Sequence, residues 1–257
     1  VKPQSKKDKD NGKITVKVFS EMDHELLPVY TTMTKWVSRP PLEWVGAKRT
    51  CMKYLLPHVP RFGEEVGVMC ELFAGSLSLS IRTLPDVWVF GDTCQPLINF
   101  YKCLQDNPAT LFVIIKRCHN DYEPYLSAKR RQVFDDKLKL FNKIKLRYDN
   151  NIMDAPLKIR MVLAGLFFFL NRTGFRGLYC ENLAGECNTS HEERKTGRLH
   201  IYDDYAQYAL NTLANQFKNK DVTIICGDYE ITMAAALAKS ESLKAQRKPH
   251  KILFYGD

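Results

Sequence analysis

Val66-Gly67-Val68-Met69-Cys70-Glu71-Leu72-Phe73-Ala74-Gly75-Ser76 is a short apolar run that breaks into small residues, and Val87-Trp88-Val89-Phe90-Gly91-Asp92 repeats the pattern and ends in a carboxylate. Apolar runs of this length, bounded by turn residues, read as buried strands. The stretch is therefore strand, tight turn, helix, strand. Repeated, this unit builds a parallel sheet with crossover helices.

Pro96 opens a helix that carries Leu97, Ile98, Phe100, Tyr101 and Leu104 on one side, and Asp106-Asn107-Pro108 closes it. Asp221 to Cys226 runs into Gly227-Asp228, and Lys251 to Tyr255 runs into Gly256-Asp257, with an Ala-rich helix from Ile231 to Ala238 between them. The expected fold is α/β, a twisted parallel sheet with strands near 66–73, 87–91, 221–226 and 251–255. Residues 109–165 depart from sheet patterning. They are helical and strongly basic, with Lys129-Arg130-Arg131 and then Lys137, Lys139, Lys143, Lys145 and Arg147, and read as a helical insertion packed at one end of the sheet. Residues 1–12, carrying Lys2, Lys6, Lys7 and Lys9, hold too little apolar surface to fold and read as a basic tail. Ile14 to Val18 is a candidate strand. The chain so divides into a tail and N-terminal extension (1–40), a first part of the α/β core (41–109), the helical insertion (110–215) and a second part of the core (216–257).

The 257 residues are 45% apolar, enough for a real core, and carry a formal charge of +9. With a sequence pI of about 9.1, the surface attracts polyanions, and nucleic acid leads as partner class. Met161 to Leu170 is the longest apolar stretch, roughly half of the 18 or more residues that a membrane span needs. Cysteines stand at 51, 70, 94, 103, 118, 180, 187 and 226, with no C-x-x-C pair and several inside apolar runs. They read as free thiols of an intracellular, reducing compartment, whether cytoplasm, nucleus or organelle matrix. Cys180, Cys187 and His191 lack the spacing of a zinc site, and no metal is expected.

In a doubly wound sheet, ligands sit outside the carboxyl ends of the strands, where a glycine turn lets the backbone approach and a helix start supplies amide donors. Phe73-Ala74-Gly75-Ser76-Leu77-Ser78 lies at such a place. Asp92, at the tip of the next strand, is where a carboxylate can hold both ribose hydroxyls of a nucleoside. Asp228 ends a third strand at the same edge and can accept from an adenine amine or cap the following helix. A nicotinamide site is disfavoured, because the turn lacks the G-x-G-x-x-G spacing.

Five motifs in one order resemble the Dam-type (D12 class) adenine-specific DNA methyltransferases. Pro41-Leu42-Glu43-Trp44-Val45-Gly46-Ala47-Lys48-Arg49 is similar to the W-x-G-G-K-R opening, and Glu71 to Ser78 to the E-x-F-x-G-G-G/L-S loop. Asp92 followed by Pro96 to Tyr101 and Asp106-Asn107-Pro108 resembles N-D-x-N-x-x-L-I-N-x-Y and the x-N-P after it. Leu170-Asn171-Arg172-Thr173-Gly174-Phe175-Arg176-Gly177-Leu178-Tyr179 is nearly L-N-R-x-x-F-N-G-L-Y, and Cys226-Gly227-Asp228-Tyr229 resembles G-D-F.

The resemblance implies a Rossmann-like sheet that binds S-adenosyl-L-methionine and transfers its methyl group directly to the exocyclic N6 of adenine, with no metal and no covalent enzyme intermediate. Trp44, Gly46 and Lys48 would line the methionine end, Phe73 and Gly75 the turn beneath it, Asp92 the ribose and Asp228 the adenine. The insertion would be the target-recognition region, with Lys129, Arg130 and Arg131 on phosphates and Asn171, Arg172, Arg176 and Tyr179 positioning the strand or reading base edges. DNA is the implied partner, with RNA open as an alternative. Among the departures from the family pattern, Ala47 and Ser76 stand for glycines, where a small residue is expected to be tolerated, and Leu77 stands where most members have glycine and some phage-like members also have leucine. Lys251 to Asp257 aligns with the strand entering Asp-Pro-Pro-Tyr, so Asp257 would be the catalytic carboxylate and the rest of that motif is expected beyond it. The alternative is a catalytically inactive scaffold of the same fold in a nucleoprotein assembly such as an organellar ribosome.

Overall fold

The computed structural model describes residues 40–48, 50–64, 66–83, 85–125, 127–149, 151–192 and 202–256. The basic tail, the candidate strand at Ile14 to Val18, Arg49 and Asp257 lie outside them. Helix α1 (Met52–Leu55) leads to strand β1 (Val66–Glu71), the short helix α2 (Ser80–Thr83) and strand β2 (Val87–Asp92). Helices α3 (Gln95–Asp106), α4 (Pro108–Tyr122), α5 (Ser127–Leu146), α6 (Leu157–Thr173) and α7 (Asp204–Asn219) follow. Strand β3 (Asp221–Cys226), helix α8 (Tyr229–Ala245) and strand β4 (Lys251–Tyr255) end the described chain.

The four strands pair in the order β3-β2-β1-β4, all parallel. Each of the four expected strands is present, and the parallel arrangement is as the sequence implies. The chain steps outward from β1 to β2 to β3 and then crosses back through α8 to the far side of β1. That reversal makes the β1/β4 boundary a topological switch point, the place where such sheets open a crevice.

The pleat sends alternate residues to opposite faces. Val68, Cys70, Val87 and Val89 pack under α8 with Ala236, while Trp88 and Phe90 face α3 and α7, meeting Phe217 at ring-centroid distances of 5.9 and 5.8 Å. At Gly91 a Cβ would sit 2.0 Å from Thr232 Oγ1, so glycine is what lets α8 lie against β2.

The helical region is not a separate body. One buried cluster runs from Trp88 and Phe90 through α3 into α4, α5 and α6, and no gap in it marks residue 109. The α3–α6 contact is aromatic, with Phe100 stacked on Phe168 at 5.7 Å. Burying side chains of this size contributes roughly 2–3 kcal/mol each, which explains why α6 carries the most apolar run of the chain. Among the described residues, no helix is long and apolar enough to cross a membrane.

Candidate active site

The turn after β1 is held from both sides. Gly75, at φ +46°, donates its N–H to Asp92 Oδ2 at 3.3 Å and accepts the Tyr101 hydroxyl on its carbonyl at 2.7 Å. Asp92 Oδ1 also accepts from Cys94 N–H at 2.9 Å. Two of the carboxylate's four or so lone-pair positions are thus in use and the rest are available to a ligand. Tyr101 is fully buried, and burial, with the nearby Glu71 and Asp92 charges, pushes its phenol well above the ordinary range; it is a permanent donor. Beneath the turn, Glu71 is buried and accepts Ser80 N–H at 2.8 Å and the Ser80 hydroxyl.

The next strand ends beside this point, with Gly227 N–H donating to Asp92 carbonyl at 3.1 Å. Asp228 follows, exposed, and caps α8 by accepting Glu230 N–H at 3.1 Å. Phe73 and Tyr229, both partly exposed, face each other with centroids 6.1 Å apart. A Cβ on Gly256 would lie 3.8 Å from the Phe73 ring. The sheet edge therefore offers a carboxylate, a second carboxylate, an aromatic pair and glycine-rich backbone. This donor and acceptor set fits a nucleoside.

Trp44 closes the turn from above. A Cβ on Gly75 would sit 3.1 Å from Trp44 Cδ1, so the indole rests directly on the glycine. Trp44 accepts Ala47 N–H at 3.1 Å in a tight turn that needs Gly46 at φ +82°. Ala47 itself is not at positive φ, and an added methyl is tolerated there. Lys48 folds back on the Gly46 carbonyl at 3.2 Å. Leu77 is different: it adopts φ +57° with its side chain fully buried.

Asn171 is buried and serves the chain internally. Its Oδ1 accepts Glu43 N–H at 2.9 Å, and its Nδ2 donates to Glu43 carbonyl at 2.6 Å and to Gly177 carbonyl at 3.1 Å. Arg172 lies 3.5 Å from the Glu43 carboxylate. The loop that follows, 174–191, turns back on itself through bridges Gly174–His191 and Glu181–Cys187. It is tied to α5 by Asn142, which exchanges two hydrogen bonds with the Cys187 backbone, and by Lys145, buried and donating to Gly185 carbonyl and Glu181. Tyr179 donates to Glu181 at 2.5 Å, and burial and that bond push its phenol upward. Phe175 and Arg176 are exposed on the loop, with the guanidinium over the ring at 5.2 Å.

Of the α5 cations, Lys129 and Arg131 are exposed, Lys129 lying over the Tyr125 ring at 4.1 Å. Arg130 turns inward to Glu123, at 2.9 Å from its carbonyl and 3.6 Å from its carboxylate. The sequence grouped these three, but the helix sends the middle one to a different face. Glu43, Tyr101 and Tyr229 were not singled out as site residues; each stood inside a quoted motif, and only their contacts distinguish them.

The parallel four-stranded sheet with its crossover helices is a Rossmann-like arrangement. The chain belongs to the D12 class N6 adenine-specific DNA methyltransferase family, whose model matches residues 44–242. It is similar to the Type II methyltransferase M.MjaIII of Methanocaldococcus jannaschii, 24% identical over 199 residues that cover 75% of this chain and 63% of that one. It is similar also to the DNA adenine methylase of Serratia marcescens, 26% identical over 77% of this chain and 62% of the relative. With the DNA N-6-adenine-methyltransferase of Escherichia phage P1 it shares 26% identity over 76% of this chain and 22% of the relative. The chain thus spans at most 63% of these three relatives' length.

Proposed function

We propose that this chain is the S-adenosylmethionine-binding part of a methyltransferase acting on the N6 amine of adenine in DNA. The observation that carries the reading is the meeting of Gly75, Asp92 and Asp228 with the Phe73–Tyr229 pair at one sheet edge. Family membership adds the reaction class. The scaffold alternative draws on no contact described here.

When bound, S-adenosylmethionine supplies an electrophilic methyl on a sulfonium. Asp92 accepts from the ribose hydroxyls, Asp228 from the adenine amine, and the Phe73–Tyr229 pair packs against the adenine from one side. Trp44, Gly46 and Lys48 line the methionine end. The target adenine leaves the duplex stack, since its amine is otherwise out of reach. Its nitrogen lone pair is delocalised into the ring. Asp257 and the backbone carbonyl of the motif expected after it would accept hydrogen bonds from the amine, localising the lone pair for in-line attack on the methyl carbon. The carbon–sulfur bond breaks, S-adenosylhomocysteine leaves, and the methylated nitrogen loses its extra proton through Asp257 to solvent.

Lys129 and Arg131 contact phosphates and Arg176 reaches a base edge. Arg130, Arg172, Asn171 and Tyr179 act through the helix ends and loop that they hold, because their side chains are largely covered and turned inward, to Glu123, Glu43, Gly177 and Glu181. The test is methyl transfer from methyl-labelled S-adenosylmethionine to duplex DNA by the full-length gene product, with nucleoside analysis of the product. N6-methyladenine that disappears in Asp257→Ala supports the reading; no transfer to adenine overturns it.

A further inference from the structure

The loop at 174–191 meets the segment leading into Trp44 at Gly177. Gly177, at φ +66°, has no room for a side chain: a Cβ would lie 2.6 Å from both Glu43 Cβ and Glu43 O. Asn171 bonds to Gly177 carbonyl and to both backbone groups of Glu43. The residue after Glu43 is Trp44, whose indole lies against Gly75. Gly75 in turn bonds to Asp92. The connection runs unbroken from the exposed Phe175 and Arg176, through Gly177, Asn171 and Glu43, to Trp44, Gly75 and Asp92.

Close-packed contacts with no slack pass on displacements of a few tenths of an ångström. The loop is also anchored to α5 by Asn142 and Lys145, to α4 by Tyr122 on His191, and to α6 by Tyr179 on Phe167, whose ring in turn faces Trp44 at 6.4 Å, so the aromatic packing runs alongside the clamp to the same indole. We infer that the Glu43–Asn171–Gly177 clamp couples the nucleic-acid loop to the cofactor site, so that each ligand changes the other's affinity. The inference rests on the methyltransferase reading above. Coupling of this kind is reciprocal: nucleic acid that reseats the 175–177 segment shifts Trp44 over Gly75, and cofactor that fixes Trp44 orders the segment.

The experiment is calorimetric titration of the full-length protein with S-adenosylhomocysteine, alone and with saturating adenine-containing duplex. It is run on wild type, Asn171→Ala and Gly177→Ala, each checked for a cooperative melt. Wild type is expected to differ between the two conditions by at least about 5-fold, the low end of measured couplings, and the ratio is expected to fall to about one in the variants. Gly177→Ala keeps the asparagine and breaks the contact, so the test survives if Asn171→Ala does not fold. A wild-type ratio of one with both ligands bound, or variants that keep the wild-type ratio, overturns the coupling alone. Wild type that binds no S-adenosylhomocysteine overturns the coupling and the methyltransferase reading together.

Discussion

The side-chain amide of Asn171 holds both backbone groups of Glu43, a residue 128 positions earlier, accepting from its N–H at 2.9 Å and donating to its carbonyl at 2.6 Å. Loss of that amide leaves part-buried backbone groups without partners, at about 1–3 kcal/mol for each such group. Asn171→Ala should therefore lose about 2 kcal/mol or more of unfolding free energy. Denaturant unfolding measures it, and a loss under 0.5 kcal/mol would mean that water replaces the amide and the clamp is not structural.

Gly75→Ala combines two penalties. Its φ of +46° is left-handed, costing a side chain roughly 1–2 kcal/mol, and the new Cβ meets Trp44 at 3.1 Å. The protein should stay folded but melt earlier, with S-adenosylhomocysteine affinity reduced by about tenfold or more. Unchanged affinity would remove Gly75 from the site.

Two non-glycine residues of the family motifs, Arg176 and Leu77, are left-handed, and they should respond in opposite senses. Arg176, at φ +53°, is exposed; Arg176→Asn suits the backbone better and should stabilise by about 0.5–1 kcal/mol. Leu77, at φ +57°, is fully buried; Leu77→Gly relieves comparable strain but empties a core position, which typically costs 2–5 kcal/mol. Packing wins, and the net effect is destabilising. A Leu77→Gly variant more stable than wild type would contradict that balance.

Strand positions were legible because short apolar runs between turn residues have few other readings, and the residues at the strand tips followed from them. The internal role of Asn171 was not, since its partners lie at Glu43 and across a loop at Gly177. Nor did the sequence separate Arg130 from Lys129 and Arg131. Which cation turns inward depends on where Glu123 ends α4, a tertiary fact. The positive φ at Leu77 and Arg176 was foreshadowed only by comparison with a pattern that holds glycine or leucine at the first and asparagine at the second.

The thiols should divide by burial. Burial pushes Cys70, Cys94 and Cys103 up to about 12, so at pH 8 on the order of one in ten thousand of each is thiolate. Iodoacetamide should label the exposed Cys51 and Cys180 first. The buried thiols are neutral, so the stability they contribute is complete below the unfolded thiol pKa of about 8.5 and is lost as pH rises toward 12. Peptide mapping after brief labelling checks the order; early labelling of Cys103 would refute its burial.

Asp92 holds Gly75 with one oxygen and Cys94 with the other, and its remaining lone pairs are the ones proposed above to accept from the ribose. The most direct measurement is calorimetric titration of S-adenosylhomocysteine into the full-length protein and its Asp92→Ala variant, with thermal melts to show that both are folded. Loss of two charge-assisted hydrogen bonds should cost about 2–3 kcal/mol, roughly 30- to 150-fold in affinity. Saturable binding to wild type that weakens by that factor in the variant is the predicted result. Equal affinity in the two folded proteins, or no binding to wild type, would contradict it.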